Sequence, residues 1–254
     1  MSFPVKPAMW CPGIRSGHPL GIGLEICLPI WSGGGNRLVD VSRLGRHGTF
    51  ATGAWVPKWI ASPLGPALDF DGGDVVIFGT EIAALDEPIT LAAWLRWDGN
   101  AGYEVICATR DVAGYTWEFR IYEGHPNFLT DAGSQASALT LTSGQWCFVA
   151  VVVESDGNLT FWLDGESNTV GTKLITPGAE VFTVGDRASG SGGMDGAFAG
   201  QMVWSRALSV AEIEWLYREP WDLITHPTKV YLFYGALATG NRRRRVLICG
   251  RRRA

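Results

Sequence analysis

Two pairs of closely spaced carboxylates invite a chemical reading, Asp69 with Asp71 and Glu212 with Glu214. Paired acids are the minimum equipment for cleaving a glycosidic bond, because general acid and nucleophile must flank that bond about 5 Å apart in a retaining enzyme. The first pair belongs to the run PALDFDG, where a strand enters a turn, so its side chains are expected to straddle the bend. The second pair falls in a helical stretch, where residues two apart do not share a face. Neither spacing suits hydrolysis, and both pairs read as turn and surface acids. His18, His47, His125 and His226 fall in loop-like sequence and form no H-E-x-x-H pair. No G-x-S-x-G elbow occurs, and Gly171-Thr172-Lys173 is a fragment of a phosphate loop with no helix behind it. The sequence therefore predicts a protein that is not an enzyme.

Other side chains point to binding. Trp55, Trp59, Trp97, Trp117 and Tyr103 could meet a sugar if they lie on a concave face or loop rim; the alternative is that they fill a core. Five cysteines, Cys11, Cys27, Cys107, Cys147 and Cys249, are scattered without a C-x-x-C pair or zinc-type spacing. Cys107 and Cys147 lie in strand-like sequence, where a free thiol behaves as a small buried apolar group. This usage predicts synthesis in a reducing cytosol without structural disulfides.

The charge is unevenly placed. The tail 241–254 holds seven arginines, Arg242, Arg243, Arg244, Arg245, Arg251, Arg252 and Arg253, and no acid. Taking these seven from the chain's 21 basic residues leaves 14 against 25 acidic ones, so the body carries −11 while the whole carries −4. Such a tail can neutralise nucleic-acid phosphates, dock on an acidic protein surface, or stay solvated. The apolar run Val246-Leu247-Ile248-Cys249 between the arginine blocks suits a strand added to a partner's sheet edge, so docking is the preferred reading.

The elements that must position these residues are β-strands. Gln145 to Gly165 reads QWCFVAVVVESDGNLTFWLDG, two apolar runs about a turn containing Asp156-Gly157. Asp-Gly between such runs signals a hairpin, because glycine tolerates the positive φ that tight turns need. Trp146, Phe148, Ala150 and Val152 alternate with Cys147, Val149, Val151 and Val153, so both faces of the first strand are apolar. Such a strand is covered on both sides, here by an opposite sheet and by helix 209–218 or a partner. Further strands are predicted at 23–31, within 66–78, and at 89–97, 104–109, 115–122, 139–141, 181–184, 197–204 and 229–234. Short strands at this spacing, with Gly/Asp/Asn turns between them, predict an all-β antiparallel sandwich. One short helix follows, opened by the capping box Ser209-Val210-Ala211-Glu212, faced by Ile213, Leu216 and Tyr217, and stopped by Pro220. Residues 1–21, with four prolines and no periodicity, read as an extended N-terminal arm, and 221–254 as a C-terminal strand and arginine-rich arm. No secretory signal opens the chain, and no apolar run approaches the roughly 18 residues of a membrane span.

Five motifs in order resemble the laminin-G-like branch of the concanavalin A-like lectin/glucanase superfamily. They are PALDFDG (66–72), PITLAAW (88–94), GQWCFVAVVV with DGNLTFWLDG (144–165), the closing MDGAFAGQMVWSRALSVAEIEWLY (194–217), and a degenerate D-x-S-G loop formed by Asp40, Ser42, Gly45, His47 and Gly48. The resemblance spans roughly 22–220 and implies a jelly-roll of two curved antiparallel sheets. Calcium is that family's usual ion, and Asp40 would be its first ligand by this resemblance. The family's paired acids near the last strand are replaced by Ala199 and Gly200, so no cofactor is expected and no metal ligand is assigned. The chain also resembles domains of phage and prophage proteins that end in a helix and an E-P-W turn, here Glu219-Pro220-Trp221. The resemblance implies a non-catalytic virion protein, a capsid decoration or cement protein or a tail-associated one. It would be made in the host cytoplasm, part of a homo-oligomer or larger assembly of virion proteins, and anchored by its arms. The alternative function is a carbohydrate-binding adhesin that recognises host surface glycans. Nucleic-acid contact through the tail is a third reading, and no membrane partner is expected.

Overall fold

The computed structural model describes Lys6, residues 13–80, 82, 85–100, 102–110, 115–188, 190 and 192–224, and the backbone of 232–233 and 246–247. In chain order the first strands are β1 (Leu24–Leu28), β2 (Arg37–Leu38), β3 (Gly48–Phe50), β4 (Lys58–Ser62), β5 (Gly65–Asp71) and β6 (Val76–Ile77). The middle of the chain supplies β7 (Ile89–Trp97), β8 (Tyr103–Arg110), β9 (Tyr115–Tyr122), β10 (His125–Thr130) and β11 (Gly133–Ala136). After these come β12 (Trp146–Val153), β13 (Asn158–Leu163), β14 (Glu166–Thr172), β15 (Phe182–Val184) and β16 (Asp195–Trp204). Helix α1 (Val210–Arg218) and the short strands β17 (Leu232–Phe233) and β18 (Val246–Leu247) end the list of elements.

Two eight-stranded antiparallel sheets form the sandwich. Sheet A runs β14-β13-β12-β7-β16-β5-β4, and β1 joins it by pairing with the second half of β16. Sheet B runs β11-β10-β9-β8-β15-β6-β3-β2. In sheet A, β12 and β7 pair without a break from Trp146 opposite Arg96 to Val153 opposite Ile89. β16 carries a bulge between Phe198 and Gly200, which separates its stretch beside β5 from its stretch beside β1.

β12 lies in the interior of sheet A with both faces covered, as its double-sided apolarity predicts. Val149, Val151 and Val153 enter the core between the sheets with Trp117, Phe119, Phe161, Phe182 and Phe198. Phe148, Ala150 and Val152 enter a second apolar layer outside sheet A, with Trp94, Ile213, Leu216 and Trp221. Full burial of such a side chain contributes about 1.5–3 kcal/mol, so the outer layer is a substantial part of the fold. Cys27 belongs to that outer layer, whereas Cys107 and Cys147 lie in the core between the sheets.

The ends of the body differ from the sequence expectation. Residues 13–21 are not an extended arm: Ile14 bridges Ile224, Arg15 N donates to Leu223 O at 2.9 Å, and Pro19–Gly21 form a 3-10 turn. Leu20 is fully buried, and its carbonyl accepts from Trp204 Nε1 at 2.8 Å. Trp221, Leu223 and Ile224 pack in the outer layer, so the folded body reaches past 22–220 on both sides. Upstream, Lys6 is buried with Nζ donating to the carbonyls of Ile30 and Pro66, over the Trp221 ring. Near the C-terminus, the backbone of Val246–Leu247 pairs with that of Leu232–Phe233. No strand forms at 139–141, and β4, β10, β11 and β14 arise in polar sequence that shows no clear apolar alternation. Among the described residues no helix is long and apolar enough to cross a membrane.

Candidate binding site

The outer face of sheet B carries the most concentrated polar chemistry, and β9 shows how. Its Trp117, Phe119 and Ile121 point into the core, so alternation turns Glu118, Arg120 and Tyr122 outward. Tyr103 of β8 stands directly opposite Tyr122, and Asn127 of β10 opposite Arg120. Arg187 reaches this face from the segment after β15. Glu118, fully buried, accepts from Arg187 Nε at 2.6 Å and Nη2 at 2.9 Å, and from Arg120 Nη1 at 3.1 Å. Bidentate, charge-assisted bonding of this kind is what makes a buried carboxylate tolerable.

The arginines in turn hold the tyrosines. The Arg187 guanidinium lies 4.4 Å from the Tyr103 ring centre and its Nη1 donates to Tyr103 Oη at 3.0 Å. Arg120 sits 5.2 Å from the Tyr103 ring and 5.8 Å from the Tyr122 ring, with its Nε donating to Asn127 Oδ1 at 2.8 Å. Both tyrosines remain 39 % exposed. Gly192 has φ 125° and its backbone lies so close that an added Cβ would fall 2.7 Å from the Tyr103 ring, so only glycine lets the loop seat this tyrosine. Next to Arg187, Asp186 is buried, with Oδ1 accepting from Arg187 N at 2.6 Å and Oδ2 without a hydrogen-bond partner. Burial pushes its carboxyl up to about 6.

The sequence-predicted aromatics separate. Trp117 has no exposed surface and packs on Phe128 and Phe182, so it is core and not a glycan contact. Trp59 is part-buried against Phe50, toward the β2–β3 edge, with Nε1 donating to Gly35 O at 2.9 Å. Trp97 is part-buried at the end of β7, where Nε1 donates to Glu104 Oε1 at 2.5 Å. Trp55 is 52 % exposed and borders Gly190, two residues before the Gly192 that seats Tyr103. Arg120, Tyr122, Glu118 and Arg187 escaped the sequence reading. The strict alternation of YTWEFRIY marks the outward set of β9, although nothing local marks Arg187.

The other candidates have structural work. Asp69 and Asp71 do not straddle a turn: both lie on β5 and share a face, but Asp69 pairs with Arg96 at 3.3 Å and Asp71 with Lys58 at 3.2 Å. Glu212 closes the capping box and accepts from Arg206 at 2.7 and 3.0 Å, which with the cap holds its carboxyl down to about 2. Glu214 pairs with Arg218 one turn on, at 3.5 Å. Asp40 does not fit calcium. Its Oδ1 accepts from Cys27 N and Ser42 N, both at 2.8 Å, and its Oδ2 from Ser42 Oγ at 2.6 Å and Arg46 N at 2.7 Å. Those bonds occupy the lone pairs that a cation needs. At Gly200 an added Cβ would fall 2.7 Å from the Trp221 ring, so no acid fits there either. Among the described residues no group of three or more His, Cys, Asp or Glu is placed to hold a metal. The seven tail arginines and His226 lie outside the described residues.

A sandwich of two antiparallel sheets with a short covering helix and an open aromatic face is the architecture of jelly-roll lectin-like domains. The family model described as "Concanavalin A-like lectin/glucanases superfamily" matches residues 70–214. The chain belongs to that superfamily. No curated protein matches it in sequence. Similar solved structures include a Trypanosoma rangeli sialidase in complex with sialic acid, at 16 % identity and TM-score 0.57, over 77 % of this chain and 32 % of that one. The binding domain of Paraclostridial Mosquitocidal Protein 1 gives 13 % identity and TM-score 0.59, over 79 % and 53 %. The binding domain of botulinum neurotoxin DC in complex with SialylT gives 16 % and 0.57, over 84 % and 53 %. The chain thus spans about a third of the sialidase and about half of each toxin structure. At these identities the likeness is one of fold.

Proposed function

We propose that the chain is a non-catalytic glycan-binding module that takes its ligand on the outer face of sheet B. The tyrosine pair carries this reading. Tyr103 and Tyr122 stand on neighbouring strands, held by Arg187 and Arg120, with 39 % of each left to solvent. Sugar rings present C–H faces that pack on such aromatic surfaces, while flanking donors take their hydroxyls. Two of the similar structures hold sialic acid and SialylT, which supports the reading. Screening the full chain on an array of surface glycans, in chelator, tests it. Binding is expected without calcium, and Tyr122→Ala should weaken it about tenfold, the cost of losing an aromatic hot spot. A wild-type chain that binds no glycan refutes the proposal.

A second reading retains the assembly role in a virion. It is favoured by the arginine tail set against a body of −11, a charge pattern suited to an acidic partner surface. The two readings use different parts of the chain and are compatible.

A further inference from the structure

We infer that the glycan bound at the tyrosine face is acidic, its carboxylate or sulfate group seated on Arg120 between Tyr103 and Tyr122. This rests on the glycan-binding reading above. Arg120 is the group whose bonding is incomplete. Its Nε donates to Asn127 and one Nη1 hydrogen to Glu118, which leaves Nη2 with no acceptor among the described residues. The planar guanidinium is fixed by those two bonds and by the flanking rings at 5.2 and 5.8 Å, so its remaining N–H groups have a set direction. Only 11 % of the side chain is exposed. Donors in so narrow a window are poorly served by water, and a charged acceptor gains most there.

The test is binding of the full chain to an array carrying neutral, sialylated, uronic-acid and sulfated glycans, followed by titration of matched acidic and neutral pairs. Acidic members should bind at least about tenfold tighter than their neutral cores, as expected for one charge-assisted contact. In Arg120→Gln the ratio of acidic to neutral affinity should fall to near one, with Arg120→Lys intermediate because it restores charge without the fork. Preference for sialylated and uronic-acid glycans identifies the carboxylate as the partner, and preference for sulfated ones identifies the sulfate. Equal or tighter binding of neutral glycans overturns this inference and leaves the glycan-binding reading intact. An array with no bound glycan overturns both. If Arg120→Gln does not fold, loss of the preference at high salt in the wild-type chain is the second measurement, and a preference that salt does not touch counts against the inference.

Discussion

At the scale of residues, the proposed binding face is a balance of buried charges, and Asp186 is its most sensitive member. Its folded-state pKa, pushed up to about 6 by burial, lies above the ordinary value of 3.8. The folded protein therefore holds this proton more tightly than the unfolded chain does. The associated stability is fully present below about pH 4 and is lost as pH rises through about 6. Asp186→Asn removes the titration and keeps an oxygen for the Arg187 amide. The variant should match wild type near pH 4 and exceed it above pH 6, by at most about 3 kcal/mol. Urea unfolding of both proteins at several pH values checks this, and a difference that stays constant across pH would sink it. Substituting Glu118, by contrast, would take a carboxylate away from two arginines on a buried face.

At the scale of elements, α1 is the lid of the outer apolar layer, and its first turn is the place to weaken it. Ser209 Oγ accepts from Glu212 N, and the Glu212 carboxylate accepts from Ser209 N at 3.0 Å. Ser209→Ala should cost about 1 kcal/mol, seen as a lower denaturation midpoint with an unchanged slope. This element was readable from S-V-A-E alone, because a capping box is local chemistry. So was β12, whose eight-letter apolar run is compatible only with cover on both faces. β10, β11 and β14 were not readable: HPNFLT, GSQA and ESNTVGT gain their strand character from the neighbours they pair with. The site was half legible for the same reason. Alternation in β9 places Glu118, Arg120 and Tyr122 on one face, but Arg187 joins them only through the order β9-β8-β15.

At the scale of the whole molecule, the described residues stack as three layers: the α1 layer with residues 13–21 and 221–224, then sheet A, then sheet B. One outer surface is thereby committed to stability, and the other is the face proposed above for glycan. Removing residues 241–254 should leave a folded body that still binds glycan, with net charge shifted from −4 to −11. If the tail docks on virion partners, the shortened chain should fail to enter particles when co-expressed with them, and normal incorporation would end that reading. The layering also sets a timetable for the thiols. Cys27 is sealed in the outer layer, and Cys107 and Cys147 lie between the sheets, with burial raising all three above their ordinary range. Cys27 and Cys107, with no exposed surface, cannot react until their own layers part, whereas Cys147 keeps 8 % of its surface. With Cys11, Cys147 and Cys249 replaced by serine, the rate of labelling at each remaining thiol becomes a clock, and the interval between Cys27 and Cys107 measures how long the molecule lives with its lid lifted and its sandwich still closed.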